Sequence, residues 1–444
     1  MVYLRRLGLV AIIVADLEGW SPKEENARAK ITEQVMRVTE ALEEQGGAAR
    51  PILDPILRKG PTSGRFVLDN LSSLRSAIQR GEIPVLPPFI LEGENKSTCV
   101  SPNEMMPGLA AALAEESSST SNSTEDLTPV RIMVINREGG IPSHARGGTP
   151  HLSINLESEY DFIHATYEWR DTHPTALSNL KLIRDCLSVL PRTASAVVNS
   201  HRSPRALIAN LVTNRPAHSP SLHVSALPSH VKLEHTPTII RLGLPIKVHR
   251  SLDDINLPAL TRLLESSFGK TLNQEAYYDR LRKHLDFLIV AGDCAAVAIV
   301  TKEGRHGEVS YLDKFAVLPS LQGDGTVDFM WGALRDESFG LGLLDALNNN
   351  GGLEGRGNGV DLVWRSRADN PVNKWYFERS NGFVKLDEMG KGGTPGMLFW
   401  CDAEERLEKY QKSSEGKVPY ISKDESGRLG HWNEVVGAIK SCWK

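Results

Sequence analysis

Val317-Leu318-Pro319-Ser320-Leu321-Gln322-Gly323-Asp324-Gly325-Thr326-Val327 is the stretch on which the reading of this chain turns. Residues 311–317 read as a strand that stops at Pro319, and a glycine-rich turn leads straight into helical spacing over 325–336. Such a turn aims several unpaired backbone N–H groups at one point, at the positive end of a helix dipole, and makes a cradle for a pyrophosphate. Gly323 and Gly325 let the backbone approach phosphates with no side chain in the way. Two glycines fit a plain helix-entry loop equally well. The turn is neither a Walker loop, since Gly-Lys-Ser/Thr is missing, nor a GxGxxG dinucleotide fingerprint.

Working outward, residues 239–248 alternate like a strand, and 255–267 and 274–284 have helical spacing. Strands follow at 287–291, 295–301 and 311–317, then the helix, a strand at 360–365, a helix at 371–380 and a closing strand at 396–400. Residues 348–359, rich in Gly and Asn, read as an inserted loop. Upstream, strands at 9–14, 83–86 and 131–135 alternate with helices at 22–44, 71–80, 105–114 and 176–190, and a Ser/Thr/Glu tract at 115–126 reads as a solvated loop. That alternation predicts a parallel sheet with helices on both faces. Residues 191–238, rich in Pro, Ser, His and Asn, read as a linker with one local helix at 205–211.

At 444 residues the chain exceeds one ordinary core, and two to three domains are expected. Net charge is −4 and the pI near 6.4, so no basic field points to nucleic acid or an anionic membrane. The longest apolar run, residues 7–15, falls far short of the roughly 18–20 residues of a membrane span. Its β-branched composition and the Asp16 that ends it favour a buried strand over a signal peptide. Five scattered cysteines without CxxC spacing argue against a disulfide framework or a zinc site, and for a reducing compartment. The thirteen histidines lack metal-ligand spacing.

Strand, Q-x-x-G-x-small, helix, strand is the pattern of the GNAT acyltransferases, whose turn holds the pyrophosphate of CoA. Gln322 and Gly325 fit it, while Val327 stands where that family has Gly or Ala. Two further strings, Tyr311-Leu312-Asp313-Lys314-Phe315 and Trp364-Arg365-Ser366-Arg367-Ala368-Asp369-Asn370-Pro371-Val372-Asn373-Lys374-Trp375-Tyr376-Phe377, resemble the catalytic domain of mitochondrial N-acetylglutamate synthases of the fungal and vertebrate type. The resemblance covers about residues 238–440, with Ser267-Phe268-Gly269-Lys270 and His431-Trp432-Asn433 included. Residues 1–190 resemble the amino-acid-kinase-like domain that precedes the transferase there, on residues 80–88 and 138–142, and residues 205–216 match the family's connector.

The resemblance implies an α/β chain: an N-terminally truncated amino-acid-kinase-like parallel-sheet domain over 1–190, a linker over 191–238, a GNAT domain over 239–430 and a C-terminal tail over 431–444. It implies acetyl-CoA as co-substrate, no metal, and L-glutamate as the acceptor of the acetyl group. Lys270, Lys314, Phe315, Arg365, Arg367, Asn370 and Trp375 would form the glutamate pocket. Backbone of Phe315, Ala316 and Val317, with the turn Gln322, Gly323, Asp324, Gly325 and Thr326, would hold CoA. Tyr376 would protonate the departing thiolate, which a phenol of pKa about 10 suits, and Asn370 would orient it or stabilise the tetrahedral intermediate. The residues make chemical sense unaided: Arg365 and Arg367 alternate on one strand, so both face one side, and guanidinium groups bind carboxylates bidentately.

No Cys or Ser sits in a convincing nucleophile setting, Cys401 lacking a paired base, so direct attack by the neutral amine is expected. The first half lacks a Gly-rich phosphate loop with a lysine, so it is a poor candidate for a kinase. The resemblance implies a regulatory domain with L-arginine as inhibitor, and the chain reads as beginning inside that domain. The resemblance further implies a homo-oligomer, contact with N-acetylglutamate kinase and the mitochondrial matrix, with neither nucleic acid nor membrane as partner. Two other readings stay open: a GNAT enzyme for another α-amine, and a regulatory subunit without catalysis.

Overall fold

Gly243, at φ +68°, and Pro245 break what reads as one alternating strand over 239–248 into two, Thr238–Arg241 and Ile246–His249, which belong to different sheets. A side chain at 243 would collide with Asn155, whose Oδ1 lies 2.2 Å from the Cβ position. Only glycine fits there. The computed structural model describes residues 2, 5, 8–60, 66–93, 96–119, 126–144, 147–203, 213–216, 236–339, 361–386, 395–403 and 423–444. The expected inserted loop at 348–359 and the local helix at 205–211 lie outside those residues.

Two compact units divide the chain: Met1–Ile132 with Leu177–Ala196, and Met133–Ala176 with Val197–Lys444. In the first, the fully buried strand Ile83–Leu86 pairs in parallel with Ile13–Val14 on one edge and Ala49–Pro51 on the other. Such an unbroken apolar strand is the mark of a parallel sheet covered on both faces. Helix Ala27–Glu44 buries Ala27, Ile31, Val35 and Thr39, one face at helical spacing. A second, four-stranded sheet runs Phe66–Leu68, Leu57–Lys59, Phe89–Glu92, Lys96–Cys99, and helix Pro102–Ser119 packs on its core through Met105, Leu109 and Leu113. The first strand is shorter than the expected 9–14, and the helix runs through Ser119 into the tract read as loop.

Most of a four-stranded sheet lies in the second unit, in the order Arg131–Asn136, Ser195–Ser200, Thr238–Arg241, Ser153–Asn155. Ser195–Ser200 falls in the segment read as linker. Every residue of it is buried, but its Ser and Asn ends hide it from a hydrophobicity pattern.

The rest of this unit is one seven-stranded sheet. Its strands are β1 (Ile246–His249), β2 (Leu285–Ala291), β3 (Ala296–Glu303), β4 (Val309–Val317), β5 (Leu362–Arg367), β6 (Gly382–Leu386) and β7 (Gly396–Cys401), in the spatial order β1-β2-β3-β4-β5-β7-β6. All neighbours are antiparallel except β4 and β5. Alternate residues serve opposite faces. Phe287, Ile289 and Ala291 meet Met330, Trp331 and Leu334 of helix α3 (Thr326–Phe339). Leu288 and Val290 meet Leu260, Leu263 and Leu264 of α1 (Leu257–Phe268) and Tyr277, Tyr278 and Leu281 of α2 (Gln274–His284). Helix α4 (Asn373–Phe377) is half the length expected for 371–380, and α5 (Lys423–Gly437) precedes a tail to Lys444. Among the described residues no helix is long and apolar enough to cross a membrane.

Candidate active site

β4 and β5 pair at two positions only, Ser310↔Leu362 and Tyr311↔Val363. Beyond them each strand stays tied to its outer neighbour, β4 to β3 as far as Val317 and β5 to β7 as far as Arg367, so the sheet opens between them. A bulge in β4 between the pairs Ile299↔Lys314 and Val300↔Leu312 leaves Asp313 unmatched and bends the strand at the mouth of the fork. The fork is part of a cleft of about 890 Å³, lined by Leu312 through Val317 on one side and Trp364 through Arg367 on the other. Backbone groups without a ladder partner line such a gap and need an extended ligand or water to satisfy them.

At the open end of β4 a single 3₁₀ turn, Pro319–Leu321, leads to Gly323 and Gly325 at φ +96° and +92°. The Asp324 carboxylate accepts from Thr326 N at 2.8 Å, and the first bond of α3 runs from Phe329 N to Gly325 O at 3.0 Å. The amides between are the unpaired donors of a helix start. A Cβ at Gly323 would meet open space, whereas one at Gly325 would lie 2.7 Å from the guanidinium of Arg241. Arg241, buried at the end of Thr238–Arg241, donates through Nη2 to Asn214 O at 2.8 Å. A positive charge therefore backs the turn from a strand of the other sheet.

At the closed end, Asp313 is buried and accepts from Tyr277 Oη at 2.8 Å and from Lys314 Nζ at 2.9 Å, and it pairs with Arg280, which also holds Glu303 at 2.5 Å. Burial acts to raise the Asp313 carboxyl, but Lys314 and Arg280 outweigh it and hold it below its ordinary value. Arg280 and Lys314 thus face Asp313 and Glu303, and Lys314 also lines the cleft. Lys314 Nζ also sits 5.2 Å from the centre of the Tyr277 ring. Lys270 follows Gly269, which ends α1 in the left-handed conformation at φ +62° and so turns the chain toward the cleft.

The floor is aromatic. Trp375 lies between Phe315, Trp331 and the Arg379 guanidinium, which stands 4.1 Å over its ring. Tyr376 packs on Trp364 and Phe399 with centroids 5.4 and 5.5 Å away. Burial, aided by the neighbouring Tyr311, pushes its phenol well above the ordinary 10, so it keeps its proton throughout the neutral range.

Residues 247–343 and 358–416 match the family model of the N-acetyltransferase domain of N-acetylglutamate synthase. The mitochondrial amino-acid acetyltransferase of Coprinopsis cinerea is 47% identical across the whole of this chain and 76% of its own length. That of Laccaria bicolor is 48% identical across the whole chain and 81% of its own. The chain belongs to the amino-acid acetyltransferase family. It is an acyltransferase. A solved N-acetylglutamate synthase from Neisseria gonorrhoeae, complexed with coenzyme A and N-acetyl-glutamate, is similar over 90% of this chain and 85% of its own at 14% identity and a TM-score of 0.47.

In this acetyltransferase chain, Lys270, Lys314, Phe315, Arg365, Arg367, Asn370, Trp375, Tyr376, Ala316, Val317, Gln322, Gly323 and Gly325 all line the one cleft. Asp324 and Thr326 do not: the first shapes the turn through its carboxylate and the second is buried beneath it. Asn370 is engaged at both ends, donating to Ser366 Oγ at 2.8 Å and accepting from Val372 N at 3.1 Å, so it holds the turn into α4. Arg367 is exposed, 3.5 Å from Asp369. Cys401 is fully buried in the core of β7 and takes no part in the cleft. Sequence reasoning named the tail over 431–444 but missed that its residues 439–443 line the cleft, and it missed Arg241 and the Arg280–Asp313–Tyr277 cluster. Asp313 stands inside a quoted motif, but its partners are 33 and 36 residues away and carry no local signal.

Proposed function

We propose that this enzyme transfers the acetyl group of acetyl-CoA to the α-amine of L-glutamate. The observation that carries the reading is the fork between β4 and β5, which ends in the Gly323–Gly325 turn on one side and in a group of cations on the other. The amides of an acyl-CoA arm are suited to pair with the open strand edge, and its pyrophosphate to sit on the turn with Arg241 behind it. Lys270, Lys314 and Arg367 suit the two carboxylates of glutamate. In this reading the amine nitrogen attacks the acetyl carbon directly, the tetrahedral adduct releases sulfur, and Tyr376 gives its proton to the thiolate. The proton shed by nitrogen leaves through solvent, and solvent returns one to the Tyr376 phenolate. The phenol is protonated across the neutral range, which is the form that can donate, although burial makes it a weaker acid than a free tyrosine.

Residues 1–190 would then act as a regulatory, amino-acid-kinase-like part that binds L-arginine, 191–238 as the connector, 239–430 as the transferase and 431–444 as its tail. The reading carries with it a homo-oligomer, contact with N-acetylglutamate kinase and the mitochondrial address borne in the names of the relatives. The test is amine competition: purified protein and acetyl-CoA with glutamate, aspartate, glutamine or a peptide N-terminus, with products read by mass. N-Acetylglutamate as the main product supports the reading. A preferred monocarboxylic or peptide amine would overturn it, and acetyl-CoA binding without turnover would leave a regulatory subunit.

A further inference from the structure

Arg365, read as a ligand for a substrate carboxylate, directs its outer nitrogens elsewhere. Nη1 donates to Val436 O at 2.9 Å and Nη2 to Ile439 O at 3.2 Å. These carbonyls close the end of α5, where a helix leaves its last acceptors unpaired and a cation suits the dipole. The residues that follow turn back over the cleft. Asn273 N donates to Cys442 O at 2.9 Å and Lys444 N to Thr271 O at 3.0 Å, while Trp443 forms an antiparallel bridge with Leu272. The Trp443 ring stands 5.2 Å from that of Phe268, with Lys314 Nζ 5.9 Å from its centre. Residues 439–443 all line the cleft, and Cys442 and Trp443 among them stand beside Lys314.

We infer that residues 439–443 form one wall of the amino-acid subsite, and that Arg365 is a positioning residue that holds this wall rather than a direct ligand of the carboxylate. The inference rests on the functional reading above. Trp443 screens one side of Lys314 from water, which strengthens the pull of the ammonium on a carboxylate. Lys440, exposed on the same wall, supplies a cation for the second carboxylate in place of Arg365. A dicarboxylic amino acid would thus be recognised by Lys270, Lys314 and Arg367 together with Lys440 on the tail.

Steady-state kinetics on the full chain, Arg365→Ala, Trp443→Ala, the chain without 440–444, and Arg365→Ala combined with that deletion test this. The deletion and Trp443→Ala should raise KM for glutamate about tenfold while KM for acetyl-CoA stays within about twofold. The combined variant should be no worse than its worse parent, because both changes remove the same wall. Losses that multiply in the combined variant would mean that Arg365 meets the substrate itself and would overturn the inference, as would an unaltered KM for glutamate in Trp443→Ala. That variant removes no backbone hydrogen bond and keeps the test sound should the deletion misfold. A wild-type chain without glutamate-dependent turnover overturns the functional reading together with the wall; normal wild-type turnover with unaltered variants overturns the wall alone.

Discussion

Gly325 combines two constraints in one residue: a φ of +92° and a guanidinium 2.7 Å from where a methyl would go. Gly325→Ala must therefore strain the backbone, at about 1–2 kcal/mol, and displace Arg241 as well. The expected result is a KM for acetyl-CoA raised about tenfold with KM for glutamate little changed, read from initial rates at varied acetyl-CoA. Asp313 makes the second prediction at this scale. Asp313→Asn leaves Arg280 and Lys314 short of a buried counter-charge and should cost about 3–5 kcal/mol, seen as a lower thermal midpoint. Because the native carboxyl ionises below its ordinary 3.8, its contribution is complete above that pH and is lost as the pH falls through the lower folded-state value. The gap in stability between wild type and Asp313→Asn should accordingly close on acidification below 3.8 and stay constant from neutral pH down to that point. A gap that is the same at every pH would contradict the charge argument.

Among the elements, α2 lies at Gln274–His284, as its spacing reads, because a run with tyrosines and leucine on one face admits a single register against a sheet. β2 and β4 begin two residues earlier than the apolar runs indicate and β3 ends two later, since strand ends such as Glu303 are held by ladder bonds rather than by hydrophobicity. The divergence of β4 from β5 is not legible in either strand alone. It needs the bulge at Asp313 and the outer ladders, both of which are long-range. The glycine turn was legible because its chemistry is local: strand end, two glycines and helix start fall within a few residues. Arg241 was not, being about 80 residues upstream and beyond the break at Gly243 and Pro245.

On the scale of the whole molecule, the strand Thr238–Arg241 has its hydrogen bonds in the four-stranded sheet, while its last side chain reaches the turn of the seven-stranded one. Arg241→Met, which keeps the length of the side chain and removes its charge, should weaken acetyl-CoA binding by about 1–3 kcal/mol, measured by calorimetric titration with CoA. Unchanged CoA affinity would sever that link between the sheets. The central claim concerns the chemistry at the fork, and glutamate-dependent release of CoA thiol tests it most directly, in wild type and in Tyr376→Phe across pH 6–9. Wild type should release CoA only with glutamate present, and Tyr376→Phe should lose about 10²–10⁴ in kcat with both KM values little changed. Equal release with and without glutamate, or full kcat in Tyr376→Phe, would contradict the account.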